Sequence, residues 1–168
     1  MDFEKIILVN DKLRLRKPQK SEWINALPWY SDKEVLLMSE GISAQSYGLD
    51  GINRMYGYLE KVGHLYFIEV LESDWLAVGD ATFSRTSLPI VIGDERYRGK
   101  GIGRSIIMKF IEIALSIGIE ELRVKEIYHY NKKSQNLFKG LGFEVETENE
   151  KGSSYKLVLH RLRVKSTR

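Results

Sequence analysis

The sequence predicts a single α/β domain, a sheet of mostly consecutive strands flanked by helices, and three observations carry that reading. Through the second half of the chain, apolar and β-branched runs suited to strands alternate with stretches of helical periodicity. Nearer the middle, two aromatic and β-branched runs flank the short polar segment Glu72-Ser73-Asp74, the signature of a hairpin. The length of 168 residues, 43% hydrophobic and 29% charged with three prolines, suits one domain with a real core and excludes disordered and collagen-like classes.

Taken in order, residues 6–9, Asn10-Asp11 and residues 12–16 read as a hairpin or paired strands, since Leu13 and Leu15 alternate with basic residues, and Pro18 ends the second run. Residues 21–38 and 50–62 carry apolar positions at helical spacing and predict two helices, separated by a Gly/Ser segment over residues 41–48. Residues 65–71 and 75–83 form the hairpin. The short apolar run 88–92 suits a buried central strand. Residues 104–117 give the clearest helix, because Ser105, Lys109, Glu112 and Ser116 fall on one side and leave a wide apolar face, with Gly118 as its stop. A strand over 122–128, a short helix over 132–141 and closing strands over 143–147 and 155–162 complete the chain, and the basic tail 161–168 is expected in solvent.

Several function classes drop out on composition. There is no cysteine, which excludes disulfides, a thiolate nucleophile and cysteine-ligated metal. His64 and His129 stand alone without metal-ligand spacing, so no metal site is expected. The N-terminus lacks the pattern of a secretory signal and no run is long and apolar enough for a membrane, so a cytoplasmic protein is expected. A net charge of +3 is too small to argue for nucleic acid. Its distribution is informative. Residues 96–109 hold five basic side chains and no acidic one, whereas residues 21–60 hold six acidic side chains against Lys33 and Arg54. A polyanion and a cation are therefore expected in different places.

Between the apolar run and the long helix stands Arg98-Gly99-Lys100-Gly101-Ile102-Gly103. Glycines let the backbone approach a ligand closely, while successive N–H groups and a helix N-terminus point at negative charge, so the segment suits a pyrophosphate. The glycine spacing fits neither the dinucleotide fingerprint nor the P-loop. Arg98, Gly101 and Gly103 do resemble the Arg/Gln-x-x-Gly-x-Gly/Ala motif of the GNAT superfamily. A second segment, Glu126-Ile127-Tyr128-His129-Tyr130-Asn131 followed by Leu137 to Phe143, resembles that superfamily's strand, asparagine, helix and Gly-Phe pattern. The likeness covers residues 88–143 closely and the rest in element order.

This resemblance implies an acetyl-coenzyme A-dependent N-acetyltransferase on a mixed central sheet, splayed between its fourth and fifth strands when the Leu13 strand is counted first. It further implies that Val91, Ile92 and Gly93 pair with pantetheine, that Gly99, Lys100, Gly101, Ile102, Gly103 and Arg104 hold the pyrophosphate, and that Asn131 contacts the cofactor. Phe138 occupies the position where the family carries a thiolate-protonating tyrosine. Bottom-up, Arg96, Arg98, Lys100 and Arg104 suit three phosphates. An alkylammonium has a pKa of about 10.4, so a base or water relay must deprotonate it. Glu126, five residues before Asn131 where some superfamily members carry a catalytic glutamate, is the candidate; an exposed strand face or an ion pair with Arg123 or Lys125 is the alternative. Tyr128 or Tyr130 would replace Phe138 as proton donor. The acceptor is expected to be an amine of a small molecule or a protein, with cationic acceptors favoured by the acidic, aromatic stretch 22–60, and a homodimer is among the family's expectations. The competing reading, prompted by Phe138, is a non-catalytic acetyl-coenzyme A-binding or regulatory domain.

Overall fold

The structure is a computed structural model and describes residues 3–160. Its strands are β1 (Ile6–Asn10), β2 (Leu13–Arg16), β3 (His64–Leu71), β4 (Trp75–Phe83), β5 (Ile90–Ile92), β6 (Glu121–Tyr128), β7 (Glu144–Glu148) and β8 (Gly152–Val158). The helices are α1 (Lys33–Glu40), α2 (Leu49–Val62), α3 (Ile102–Ser116) and α4 (Lys132–Gly140), with 3₁₀ turns at Lys20–Ala26, Trp29–Ser31 and Glu95–Tyr97. Among the described residues no helix is long and apolar enough to cross a membrane.

Two antiparallel sheets form, in the orders β1-β2-β3-β4-β5 and β6-β8-β7. No ladder joins β5 to β6, so the splay falls where the resemblance puts it, between the fourth and fifth strands counted from β2. The two sheets share a core through α3. Ile106, Ile107, Phe110, Ile111 and Ala114 turn from that helix onto Leu15, Ile68 and Val78 of one sheet and Leu122, Val124 and Leu157 of the other. Each large side chain buried there contributes about 1.5–3 kcal/mol of transfer free energy. The opposite face of the first sheet carries a second core, in which Trp23, Trp29, Tyr30, Ile52 and Tyr56 cover Leu65 and Phe67.

Three expectations need correction. The helix expected over 21–38 is broken into two 3₁₀ turns and the eight-residue α1. Pro28, which lacks a donor, separates the turns, and Asp32 caps a new helix by accepting from the amides of Glu34 at 2.7 Å and Val35 at 3.3 Å. The run 88–92 is a three-residue strand at the edge of its sheet and half-buried, because the splay leaves its far side unpaired. The last strand begins at Gly152 rather than Tyr155; its expected end at Leu162 and the tail 161–168 lie outside the described residues.

Candidate functional site

The splay opens a groove of about 630 Å³. Ile90, Val91 and Ile92 form one wall, Gly99, Gly101, Gly103 and Arg104 close one end, and Asn131, Ser134 and Leu137 line the side of α4. Glu34, Val35, Met38 and Ser39 of α1 complete it. The glycine turn has the form a phosphate cradle requires. Gly99 and Gly101 take left-handed φ values of +70° and +77°, and a Cβ on either would meet nothing within 4 Å, so the space over the backbone is open. Gly101 is the N-cap of the fifteen-residue α3, whose first turn holds no acidic side chain. Its unpaired amides, with Ile102 as the first helical residue, point their positive end at the groove.

The cations at this end divide differently from the sequence expectation. Arg98 donates from Nε to the Ile92 carbonyl at 2.9 Å and from Nη2 to the Gly93 carbonyl at 2.8 Å and to Asp32 at 3.0 Å, while Nη1 reaches Glu34 at 3.2 Å. It therefore braces α1 against β5. Burial pushes the Asp32 carboxyl up, but Arg98 and the capping amides hold it below its ordinary value on balance. Arg96 lies 2.6 Å from Asp94 on the surface. Lys100, whose ammonium sits 5.4 Å from the Tyr97 ring centroid, and Arg104 form no ion pair among the described residues and are the cations at this end left for phosphate. The carboxylates that occupy Arg98 are over sixty residues away in sequence, so no local pattern announces them.

At the other side of the groove Asn131 caps α4 by accepting from Ser134 N at 3.1 Å, and its Nδ2 donates to the Met38 carbonyl at 3.2 Å. Tyr130 donates to the Leu37 carbonyl at 2.7 Å and Tyr128 to the Glu40 carbonyl at 3.1 Å, their rings stacked 5.3 Å apart. Three donors from the β6–α4 junction thus satisfy carbonyls left open in the last turn of α1. Both candidate phenol donors are engaged there. Burial, and to a lesser degree Tyr128, raises the Tyr130 hydroxyl above its ordinary pKa.

Two sequence candidates stand apart from the groove. Phe138 is 2% exposed and packs edge-on to Phe143 at 5.2 Å in the shared core. Its neighbour Leu137 lines the groove from α4 together with Lys133 and Ser134, as its spacing of four and three from them could have indicated. Glu126 is exposed, accepts from Asn149 Nδ2 of the β7–β8 turn and is not among the groove-lining residues. A register shift between Val124 and Ile127 places it in a bulge.

The acidic, aromatic stretch also resolves. Glu22 pairs with Arg16 at 2.8 Å, and Asp32 and Glu34 serve Arg98, leaving Glu40, Asp50 and Glu60 exposed. Trp23, Trp29, Tyr30 and Tyr56 are buried as packing. Gly93 is obligatory beneath Trp29, since a Cβ there would lie 2.1 Å from the indole. Under these rings is a group the sequence reading missed. Asp80 of β4 is 2% exposed, and its Oδ2 accepts from Tyr56 at 2.8 Å and Tyr30 at 3.0 Å. Burial pushes its carboxyl up to about 6 against the opposing effect of the two hydroxyls.

A model described as the acetyltransferase (GNAT) family matches residues 54–143, more than half of the chain. A thialysine N-epsilon-acetyltransferase from Mus musculus is 43% identical over 61 residues, which are 36% of this chain and 35% of that protein. The match thus spans about a third of that relative's length. Among solved structures, a domain from Methanocaldococcus jannaschii superposes with a TM-score of 0.76 at 21% identity, covering 89% of this chain and 100% of that one. A spermidine N-acetyltransferase from Vibrio cholerae, in complex with CoA and spermine, gives 0.71 at 14% identity over 90% and 98% of the two chains.

Proposed function

From the premise that this chain belongs to the acetyltransferase (GNAT) family, we propose that it transfers the acetyl group of acetyl-coenzyme A to a primary amine. The observation that carries the reading is the open glycine turn at the N-terminus of α3, set at one end of a groove walled by an unpaired strand edge. The residues fit the donor. Amides from Gly99 to Arg104, with the side chains of Lys100 and Arg104, would hold the pyrophosphate. The free edge of β5 and Gly93 would pair with the pantetheine arm, and because Arg98 already takes the carbonyls of Ile92 and Gly93, the amides carry that pairing. Asn131 would contact the arm from α4. An amide near Ile92 would stabilise the developing oxyanion.

Deprotonating the ammonium requires a base. Glu126 is the candidate that the second motif supplies, and to act it would have to leave Asn149 and turn toward the groove. Neither Tyr128 nor Tyr130 is free where it stands to protonate the departing thiolate, since both hydroxyls are engaged on α1, and Phe138 is in the core. A cysteine-like thiol of pKa about 8.5 leaves near neutrality at a cost of about 2 kcal/mol, which the reaction can bear. The relatives named for thialysine and spermidine favour a small alkylamine acceptor, with a cationic one preferred. A cytoplasmic location and a homodimer belong to the same reading.

The test is acetyl-coenzyme A with thialysine, spermine and an N-terminal peptide, following free thiol. Amine-dependent release of coenzyme A supports the enzyme. Binding of acetyl-coenzyme A without release to any amine supports the non-catalytic reading, for which the missing tyrosine donor is the specific argument.

A further inference from the structure

Glu34 lines the groove from the first turn of α1, and its two oxygens go to two different elements of the wall. Oε2 accepts from Arg98 Nη1 at 3.2 Å, at the β5–α3 turn, and Oε1 accepts from Lys133 Nζ at 3.0 Å, in the first turn of α4. Arg98 and Lys133 line the groove as well. One carboxylate thus bridges two groove cations, an arrangement that two oxygens of a phosphate would also fit. Glu34 and Lys133 are ninety-nine residues apart, so the contact exists only in the folded chain.

The partners of this bridge are held unequally. The Arg98 side chain is 19% exposed and is also bound to the carbonyls of Ile92 and Gly93 and to Asp32, so it stays in place without Glu34. The Lys133 side chain is 78% exposed and that of Glu34 47%, and Lys133 has no other ion-pair partner among the described residues. Exposed pairs of this kind change an equilibrium by less than about fivefold. A ligand with a stronger claim on Lys133 can therefore take it from Glu34, while Asp32 still fastens α1 to Arg98 at 3.0 Å.

The balance of charge favours a polyphosphate as that ligand. A pyrophosphate and a phosphomonoester together bring roughly four negative charges, of which Lys100 and Arg104 answer two. We propose that Glu34 is a latch that acetyl-coenzyme A displaces, and that Lys133 is a further residue holding a cofactor phosphate. On donor binding a phosphate oxygen takes the place of the carboxylate on Lys133 Nζ and Arg98 Nη1, and Glu34 turns out to solvent. Until then Glu34 opposes the donor twice, by occupying two of the groove's cations and by adding a negative charge where phosphates must sit. The same contacts tie α1 to α4, so displacing the latch also frees the start of α1 from α4. The proposal rests on the acetyl-transfer reading above.

The experiment measures the affinity of the full chain for coenzyme A and for dephospho-coenzyme A, which lacks the ribose phosphate, by calorimetry at low and at high salt. At low salt Glu34→Gln should bind coenzyme A about three- to tenfold more tightly and Lys133→Met about three- to tenfold more weakly. The double variant should lose most of the gain, because Glu34 competes largely through the cation it occupies. All these differences should shrink at high salt, which a loss of packing would not produce. Weaker binding of coenzyme A alone in Lys133→Met supports the latch and assigns Lys133 to the ribose phosphate, and weaker binding of both ligands supports it and assigns Lys133 to the pyrophosphate. Unchanged or weaker binding in folded Glu34→Gln, or parent affinity for both ligands in Lys133→Met, overturns the latch and leaves acetyl transfer standing. A parent protein that binds neither ligand overturns both.

Discussion

Replacing Asp80 by asparagine keeps the side chain's shape while removing its charge, and its effect on stability should depend on pH in a defined direction. The folded carboxyl titrates at about 6 against an ordinary value of 3.8, because burial disfavours the ion more than the Tyr56 and Tyr30 hydroxyls favour it. A folded pKa above the unfolded one means that the group's contribution is fully present below about 3.8 and is lost as pH rises through about 6. Two pKa units correspond to about 3 kcal/mol. Asparagine never ionises and escapes that loss. Its Nδ2 brings protons that the site does not obviously accept, but that offset is the same at every pH. Relative to the parent, Asp80→Asn should therefore gain about 3 kcal/mol between pH 4 and pH 7.5, or roughly 6–12 °C of Tm for a chain of this size. Thermal and urea unfolding at constant ionic strength, at half-unit steps over that range, measures it. Parallel stability profiles for the two proteins would refute the reasoning, since they would mean that Asp80 titrates alike folded and unfolded.

Gly101→Val forces a β-branched residue into a φ of +77° and fills the open cradle, so acetyl-coenzyme A affinity should fall at least tenfold by calorimetry, and an unchanged affinity in a folded variant removes the cradle. Arg98→Lys replaces a four-bond brace by a single ammonium; it should lower Tm by several degrees and weaken donor binding, whereas wild-type values on both would show that the brace is idle. Phe138→Tyr puts a hydroxyl into the core beside Phe143 and should cost about 1–3 kcal/mol without accelerating turnover, and a faster variant would mean that position 138 reaches the sulfur. Tyr130→Phe leaves the Leu37 carbonyl short of a donor; about 1 kcal/mol of stability should go, with the pH–rate profile unmoved.

Much of the cofactor half was legible in the sequence because its determinants are local. The glycine spacing from Gly99 to Gly103 fixes a left-handed turn, the polar positions of α3 fix which face is buried, and Asn131 carries its own helix cap, all within a few residues of one another. The hairpin at 64–83 is set the same way, by two apolar runs and a short polar turn. By contrast, the break at Pro28 and the Asp32 cap were present as signals but were outweighed by helical spacing over residues 21–38. Nothing local indicates that Arg98 is held by Asp32 and Glu34, that Tyr128, Tyr130 and Asn131 cap α1 across some ninety residues, or that Asp80 lies beneath Tyr30 and Tyr56. Each of these is a contact between elements that meet only when the first sheet is packed on both faces. A charge's partner and a carboxyl's pKa depend on what is folded against them, which the order of residues along the chain does not contain.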